Sequence, residues 1–272
     1  VWIRPTFLHQ HTPMLVGGTS ARNKKLNKSS CACSQEAPKT LAYPPLTLYV
    51  HIPWCEKKCP YCDFNSHKKT GSLPEADYIK ALCNDFDQDF EIANRVSAKS
   101  SQSILEPRQI HSIFIGGGTP SLFNPLSIKT LLKHIKTRTN HNPDIEITLE
   151  ANPGTAEAEK FAGYREAGVN RLSIGVQSFD DKKLKMLGRL HTGRQSHDAI
   201  TLAKGAGFNN YNIDIMHTLP DQTVQDGLRD LETALTFKPP HISWYELTIE
   251  RNTFFYSFPP SLPNETIAQE LY

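Results

Sequence analysis

The chain has 272 residues, of which 38% are apolar, with 30 Lys and Arg set against 28 Asp and Glu. This supports a globular core in one large domain or two small ones, and a net charge of +2 argues against a strongly basic nucleic-acid binder. No apolar run approaches the ~18 residues that suggest a membrane span, and six cysteines in this length do not make a disulfide scaffold.

Residues 1–45 read as a disordered basic extension. Arg4, Arg22, Lys24, Lys25, Lys28 and Lys39 are balanced only by Glu36, and no period runs through the segment. The same basic, acid-poor composition suits an organellar targeting segment. Nothing in it resembles a secretory signal, and Cys31 and Cys33 read as incidental. From Leu46 onward, short β-branched or large apolar runs alternate with helical stretches. Strands are expected at 46–52, 111–115, 145–150, 171–175, 211–215 and 241–247. Helices are expected at 74–98, 125–139, 156–167, 181–187, 193–206 and 224–237. Asn124-Pro125 opens one helix with a cap and an N1 proline, and Gly168 and Gly207 close two others. Six β–α steps in series imply parallel strands with right-handed crossovers. Periodicity leaves open whether they form a doubly wound sheet or part of a barrel. Polar residues gather at the strand C-termini: His51, the run after Ile115, Glu150, Gln177 and Asp214. Both architectures bind ligands at that edge.

Cys55, Cys59 and Cys62 follow the first strand in a C-x3-C-x2-C spacing. Thiolates suit zinc and iron–sulfur clusters alike. His51, Asp63 or His67 could complete a zinc site. Three cysteines alone would leave one iron of a cubane without a protein ligand, the open position that catalysis needs. Lys57 and Lys58 would favour the thiolates. Gly116-Gly117-Gly118-Thr119 after the second strand lets a ligand approach the backbone closely, but it is neither a dinucleotide fingerprint nor a P-loop. It reads equally as a tight turn. Glu150 ends the third strand, where a carboxylate can accept from a hydroxyl or an ammonium, or simply be solvated. Gln177 offers an amide donor and acceptor. Arg189 can fork to a carboxylate or lie on the surface. Asp214 sits within an apolar strand and needs a partner or a ligand. Cys83 reads as a small core residue, and His51, His217 and His241 as structural.

The run Tyr49-Val-His-Ile-Pro-Trp-Cys55, continued by Cys59-Pro-Tyr-Cys62-Asp-Phe-Asn-Ser-His67, resembles the radical S-adenosylmethionine (SAM) signature. Its surroundings resemble the anaerobic coproporphyrinogen III oxidase branch of that superfamily, over residues 46–272. The resemblance implies an α/β fold, a partial (β/α)6 barrel of parallel strands over 46–255. Residues 256–272 would begin a C-terminal domain that the chain otherwise lacks. Cys55, Cys59 and Cys62 would bind three irons of a [4Fe-4S] cluster, with the fourth chelated by the amino and carboxylate groups of SAM. Tyr49, Tyr61, Gly117, Gly118, Thr119, Glu150, Gln177, Arg189 and Asp214 match SAM-contacting positions. Trp244 and Tyr245 would line the substrate side.

Phe64 stands where oxidase members carry a further cysteine and heme-chaperone members carry Phe. The resemblance therefore implies a protein that binds heme and passes it to respiratory proteins. The alternative is an oxygen-independent oxidase that decarboxylates porphyrinogen propionates by radical chemistry. Partners would be SAM, heme or porphyrinogen, an electron-donor protein and a heme recipient. The location would be the cytoplasm, or an organelle if residues 1–45 are a transit segment. Thr218 occupies a position where relatives usually have Gly, which is costly if that turn needs a positive φ.

Overall fold

Period-two alternation, apolar on one face and polar on the other, organises the sheet. The structure is a computed structural model that describes residues 2–5, 46–99 and 109–272. In chain order its elements are β1 (Trp2–Pro5), β2 (Leu46–Ile52), β3 (Trp54–Cys55), β4 (His67–Lys68), α1 (Glu75–Lys99) and β5 (Ile110–Gly117). A 3-10 turn over Pro120–Leu122 leads to α2 (Pro125–Arg138), β6 (His141–Ala151), α3 (Thr155–Ala158), α4 (Phe161–Ala167) and β7 (Arg171–Gln177). Then come α5 (Asp181–Met186), α6 (Gly193–Gly205), β8 (Asn210–His217), α7 (Val224–Thr236), β9 (His241–Glu246), α8 (Phe254–Ser257) and α9 (Glu265–Leu271).

The main sheet runs β1-β2-β5-β6-β7-β8-β9. From β2 to β9 every neighbouring pair is parallel. The strands follow chain order without the reversal that defines a doubly wound sheet. Six β–α steps wound in one direction make the open, partial (β/α)6 barrel. The strand β1 pairs antiparallel with β2 at the edge, so residues 2–5 of the segment read as a disordered extension are in the sheet. The rest of that segment, with Cys31 and Cys33, lies outside the described residues.

Along β2, Leu48, Val50 and Ile52 are at most 1% exposed, whereas Thr47, Tyr49 and His51 between them are half-buried. The apolar set meets the helices together with Ile113, Ile115, Ile147, Leu149, Leu172, Ile174, Ile213 and Ile215. The alternate set faces the barrel interior, which is unusually polar. Thr47 Oγ1 bonds Ser112 Oγ at 3.1 Å, and Arg171 Nη1 donates to Thr148 Oγ1 at 3.3 Å.

Helix ends follow local chemistry. Asn124 Oδ1 accepts from Leu126 N at 2.9 Å, with Pro125 at N1. Thr192 and Thr223 open α6 and α7 with capping boxes. Gly168 takes φ 103 at the end of α4. The helix expected over 156–167 is broken in two at Lys160, whose ammonium donates to Ser121 O and Leu122 O at 3.2 and 2.8 Å. Thr218 has φ 58 and is 3% exposed, so a β-branched residue sits buried in the left-handed region. The stretch read as the start of a further domain contains α9, which lies against the barrel: Trp244 Nε1 donates to Leu271 O at 2.8 Å. Among the described residues no helix is long and apolar enough to cross a membrane.

Candidate functional site

The cysteine loop is built, not merely connected. Its base is the two-residue ribbon pairing Trp54 with His67 and Cys55 with Lys68. Cys62 N donates to Cys59 O at 3.2 Å. Lys58 Nζ donates to Phe64 O and Ser66 O, both at 3.1 Å, which pins the far arm. His51 Nε2 bonds Asn65 O at 2.9 Å and so ties the loop to the end of β2. Lys58, read as support for the thiolates, thus holds backbone carbonyls, while Lys57 lines the cavity beside them. Burial pushes the Cys55 thiol up, and the Thr119 and Ser66 hydroxyls partly offset that rise.

The glycine run passes directly over this loop. Gly118 N donates to Ile52 O and Thr119 N to Trp54 O, both at 2.7 Å. A Cβ on Gly118 would stand 2.6 Å from Trp54 O, and one on Gly117 would stand 2.5 Å from His51 Nδ1. Only glycine fits between the second strand and the cysteine loop here. Gly117 N donates to Glu150 Oε2 at 3.0 Å. Glu150 is otherwise desolvated: burial, opposed by that N–H and reinforced by Asp214, pushes its carboxyl up to about 7.

On the facing wall, Asp214 Oδ2 accepts from Ser173 Oγ at 2.9 Å and Oδ1 accepts from Asn212 Nδ2 at 2.6 Å. Burial raises this carboxyl too, with neutral donors lowering it in part. Asn212 Nδ2 also reaches Ser173 Oγ and Ser243 Oγ, both at 2.9 Å, so one amide gathers side chains from three strands. Arg189 Nη2 donates to Asn152 Oδ1 at 2.6 Å and to Gly175 O at 2.9 Å, and Nη1 lies 3.7 Å from Cys59 Sγ. Its Nε is buried with no hydrogen-bond partner among the described residues.

One cavity of about 540 Å³ joins these parts. Cys55, Cys59, Cys62, Tyr61, Gly117, Gly118, Thr119, Glu150, Gln177, Arg189 and Asp214 all line it. Tyr49 is not among its lining residues. It stacks on Phe114 inside the barrel and bonds His51 Nδ1 at 3.0 Å. Asn152, Ser173, Gly175, Met216 and Ser243 also line the cavity and were missed in the sequence. Strand alternation holds the signal for most of them: Ser173 and Gly175 share the inward face of β7, and Ser243 is the register partner of Asp214.

The donor set suits a cluster and an amino-acid-bearing cofactor. Three thiols on one rigid loop are soft ligands of the kind iron–sulfur clusters take. Next to them lie a glycine run seated tightly over the loop and a guanidinium with an orphaned buried N–H. Among the described residues no three His, Cys, Asp or Glu side chains are gathered to hold a single metal ion.

Residues 49–234 match the radical SAM superfamily. The chain is 51% identical to the heme chaperone HemW of Haemophilus influenzae over 229 residues, which are 84% of this chain and 58% of that protein. It is 49% identical to HemW of Escherichia coli over 84% of this chain and 57% of that one. The chain thus spans less than two thirds of the length of these relatives. Among solved structures, the coproporphyrinogen III oxidase HemN of Escherichia coli superposes with a TM-score of 0.69 at 27% identity, covering 84% of this chain and 50% of that one. With the cysteine loop, the partial barrel and the match over residues 49–234 all in agreement, the chain belongs to the radical SAM superfamily, whose members use a [4Fe-4S] cluster and SAM.

Proposed function

We propose that this chain carries the cluster- and SAM-binding barrel of a heme chaperone of the HemW type. The observation that carries the reading is the convergence of three loop thiols and the polar ends of successive strands on one cavity. Cys55, Cys59 and Cys62 would hold the cluster. The cavity-lining backbone of Gly117 and Gly118 would lie along the methionine part of SAM. Glu150 and Asp214 would accept from its ammonium and hydroxyl groups, and Gln177 and Arg189 would donate to its oxygens. When bound, the pair supplies one-electron reductive chemistry at the sulfonium of SAM. The protein's contribution is to preset these donors and acceptors on strand ends fixed by the core.

The names of the bacterial relatives support heme as the cargo. The likeness to HemN favours a second reading, a coproporphyrinogen III oxidase. Asp63, Glu150, Asp214, Glu246 and Glu250 line the cavity, against Lys57 and Arg189, a balance complementary to the sulfonium of SAM. Phe64 is 60% exposed beside the cysteines, at the position where oxidases place a further cysteine. An electron-donor protein, a heme recipient and a cytoplasmic location complete the proposal. The organellar alternative depends on residues 1–45.

The test is anaerobic reconstitution with iron and sulfide, then EPR of the reduced protein with and without SAM, heme titration, and a coproporphyrinogen assay. A [4Fe-4S] signal that changes with SAM, with heme bound and no propionate lost, is the expected result. Propionate loss would establish the oxidase reading instead. A cluster signal indifferent to SAM would overturn the assignment of the cavity.

A further inference from the structure

Gln177 is constrained at both its backbone and its side chain. Its φ of 67 places a non-glycine residue in the left-handed region at the mouth of the cavity. Such conformations persist only where the surroundings enforce them. The enforcing group is Asp230 on α7, buried and so far without a role. It accepts from Ser178 Oγ at 2.6 Å and from Phe179 N at 2.7 Å, clamping the two residues that follow Gln177.

The side chain is fixed from the opposite direction. Tyr245, on β9, reaches across β8 and donates its hydroxyl to Gln177 Oε1 at 2.6 Å. An amide whose oxygen is engaged in this way has its Nε2 hydrogens left to offer. That nitrogen lies 3.0 Å from the point where a Cβ on Gly175 would stand, and Arg189 Nη2 lies 3.5 Å from the same point. Both Nη2 hydrogens of Arg189 are already given to Asn152 Oδ1 and Gly175 O, so Gln177 Nε2 is the free donor beside this bare patch of backbone.

We propose that Tyr245 is a positioning residue that locks the Gln177 amide with its nitrogen presented to the cavity, so that this spot accepts only a ligand oxygen of the carboxylate or hydroxyl type. The proposal rests on the reading of the cavity as a SAM site, since SAM carries both kinds of oxygen. A ligand bearing an N–H at that point would face donor against donor and be rejected. Tyr245 acts through Gln177, and that dependence separates this role from simple packing.

The experiment measures SAM affinity of the reconstituted protein for Tyr245→Phe, Gln177→Ala, their double variant, Gln177→Glu and Glu150→Gln. Tyr245→Phe removes one hydroxyl and is expected to weaken SAM roughly tenfold, the weight of one well-placed hydrogen bond. In the Gln177→Ala background the same change should do nothing, a non-additivity that packing would not produce. Gln177→Glu keeps the Tyr245 bond but loses the donor, and should weaken SAM at least as much as Gln177→Ala. Additive losses in the double variant would overturn the proposal. So would an unaffected Tyr245→Phe beside a weakened Glu150→Gln, and in that case the SAM reading would survive. If every variant bound SAM like the parent, that reading would fall and the proposal with it.

Discussion

Arg189 Nη1 lies 3.7 Å from Cys59 Sγ, a contact that ties the turn after α5 to a loop 130 residues earlier in the chain. The same guanidinium holds Asn152 Oδ1 and Gly175 O. One side chain therefore fixes the cysteine loop, the end of β6 and the end of β7 relative to one another. Lys at this position would keep the charge but lose the planar fork. Arg189→Lys is expected to cost about 2 kcal/mol of stability, the scale of hydrogen bonds to a charged group, and to lower cluster occupancy. Urea unfolding and iron analysis check it. Parent-like stability together with parent-like iron content would show that the contact is incidental.

The proposed SAM contact of Glu150 predicts a pH dependence of binding. Burial pushes its carboxyl up to about 7 from 4.5. The sign follows: a raised folded value gives stability that is fully present below the unfolded value and lost as pH rises through about 7. A cationic ammonium, or a hydroxyl donor, prefers the ionised carboxylate. SAM should therefore bind up to about tenfold more tightly at pH 8 than at pH 6. Glu150→Gln should bind more weakly at pH 8 and lose this dependence. Equilibrium dialysis at the two pH values measures both. A parent protein whose affinity shows the same pH profile as Glu150→Gln would remove Glu150 from the site.

Cys59→Ser should abolish the cluster without unfolding the loop. Its far arm is held through backbone carbonyls by Lys58 and His51, bonds shorter than the 3.7 Å contact of Cys59 Sγ with Arg189, and serine keeps a polar atom at that position. Far-ultraviolet circular dichroism should match the parent while the reduced [4Fe-4S] EPR signal disappears. A retained signal would refute the ligand assignment, and a collapsed spectrum would show that the loop depends on the cysteine for its fold.

Much of the barrel was legible because its two faces obey different rules. The alternation of Leu48, Val50 and Ile52 with Thr47, Tyr49 and His51 announces a strand with one face on helices and the other in a polar interior. The C-x3-C-x2-C spacing and the glycine run were visible for the same reason: both lie within a few residues along the chain. What was hidden depends on register. Asn212 collects Ser173, Asp214 and Ser243 only once β7, β8 and β9 are aligned. Tyr245 meets Gln177 across an intervening strand, which no local pattern encodes. Tyr49, matched to a SAM-contacting position by resemblance, faces the barrel interior against Phe114 and close to Glu150, a placement fixed by strand alternation.

His191 sets a second, opposing pH dependence, this time in stability. It is 6% exposed, its Nε2 bonds Val176 O at 3.0 Å, and burial beside Arg189 pulls its value down to about 3. A folded value below the unfolded 6.5 gives stability that is present above pH 6.5 and lost as pH falls. Between pH 6.5 and 5 the unfolded imidazole takes up a proton that the folded one refuses, worth about 2 kcal/mol over that range. His191→Gln removes the titration along with the ring. It should be less stable than the parent at pH 7, and the gap should narrow by about 2 kcal/mol at pH 5. Urea unfolding of both proteins at the two pH values measures this directly. A gap that stays constant would mean that the imidazole is already solvated in the native state, and that the Val176 carbonyl is not what holds the turn after Arg189.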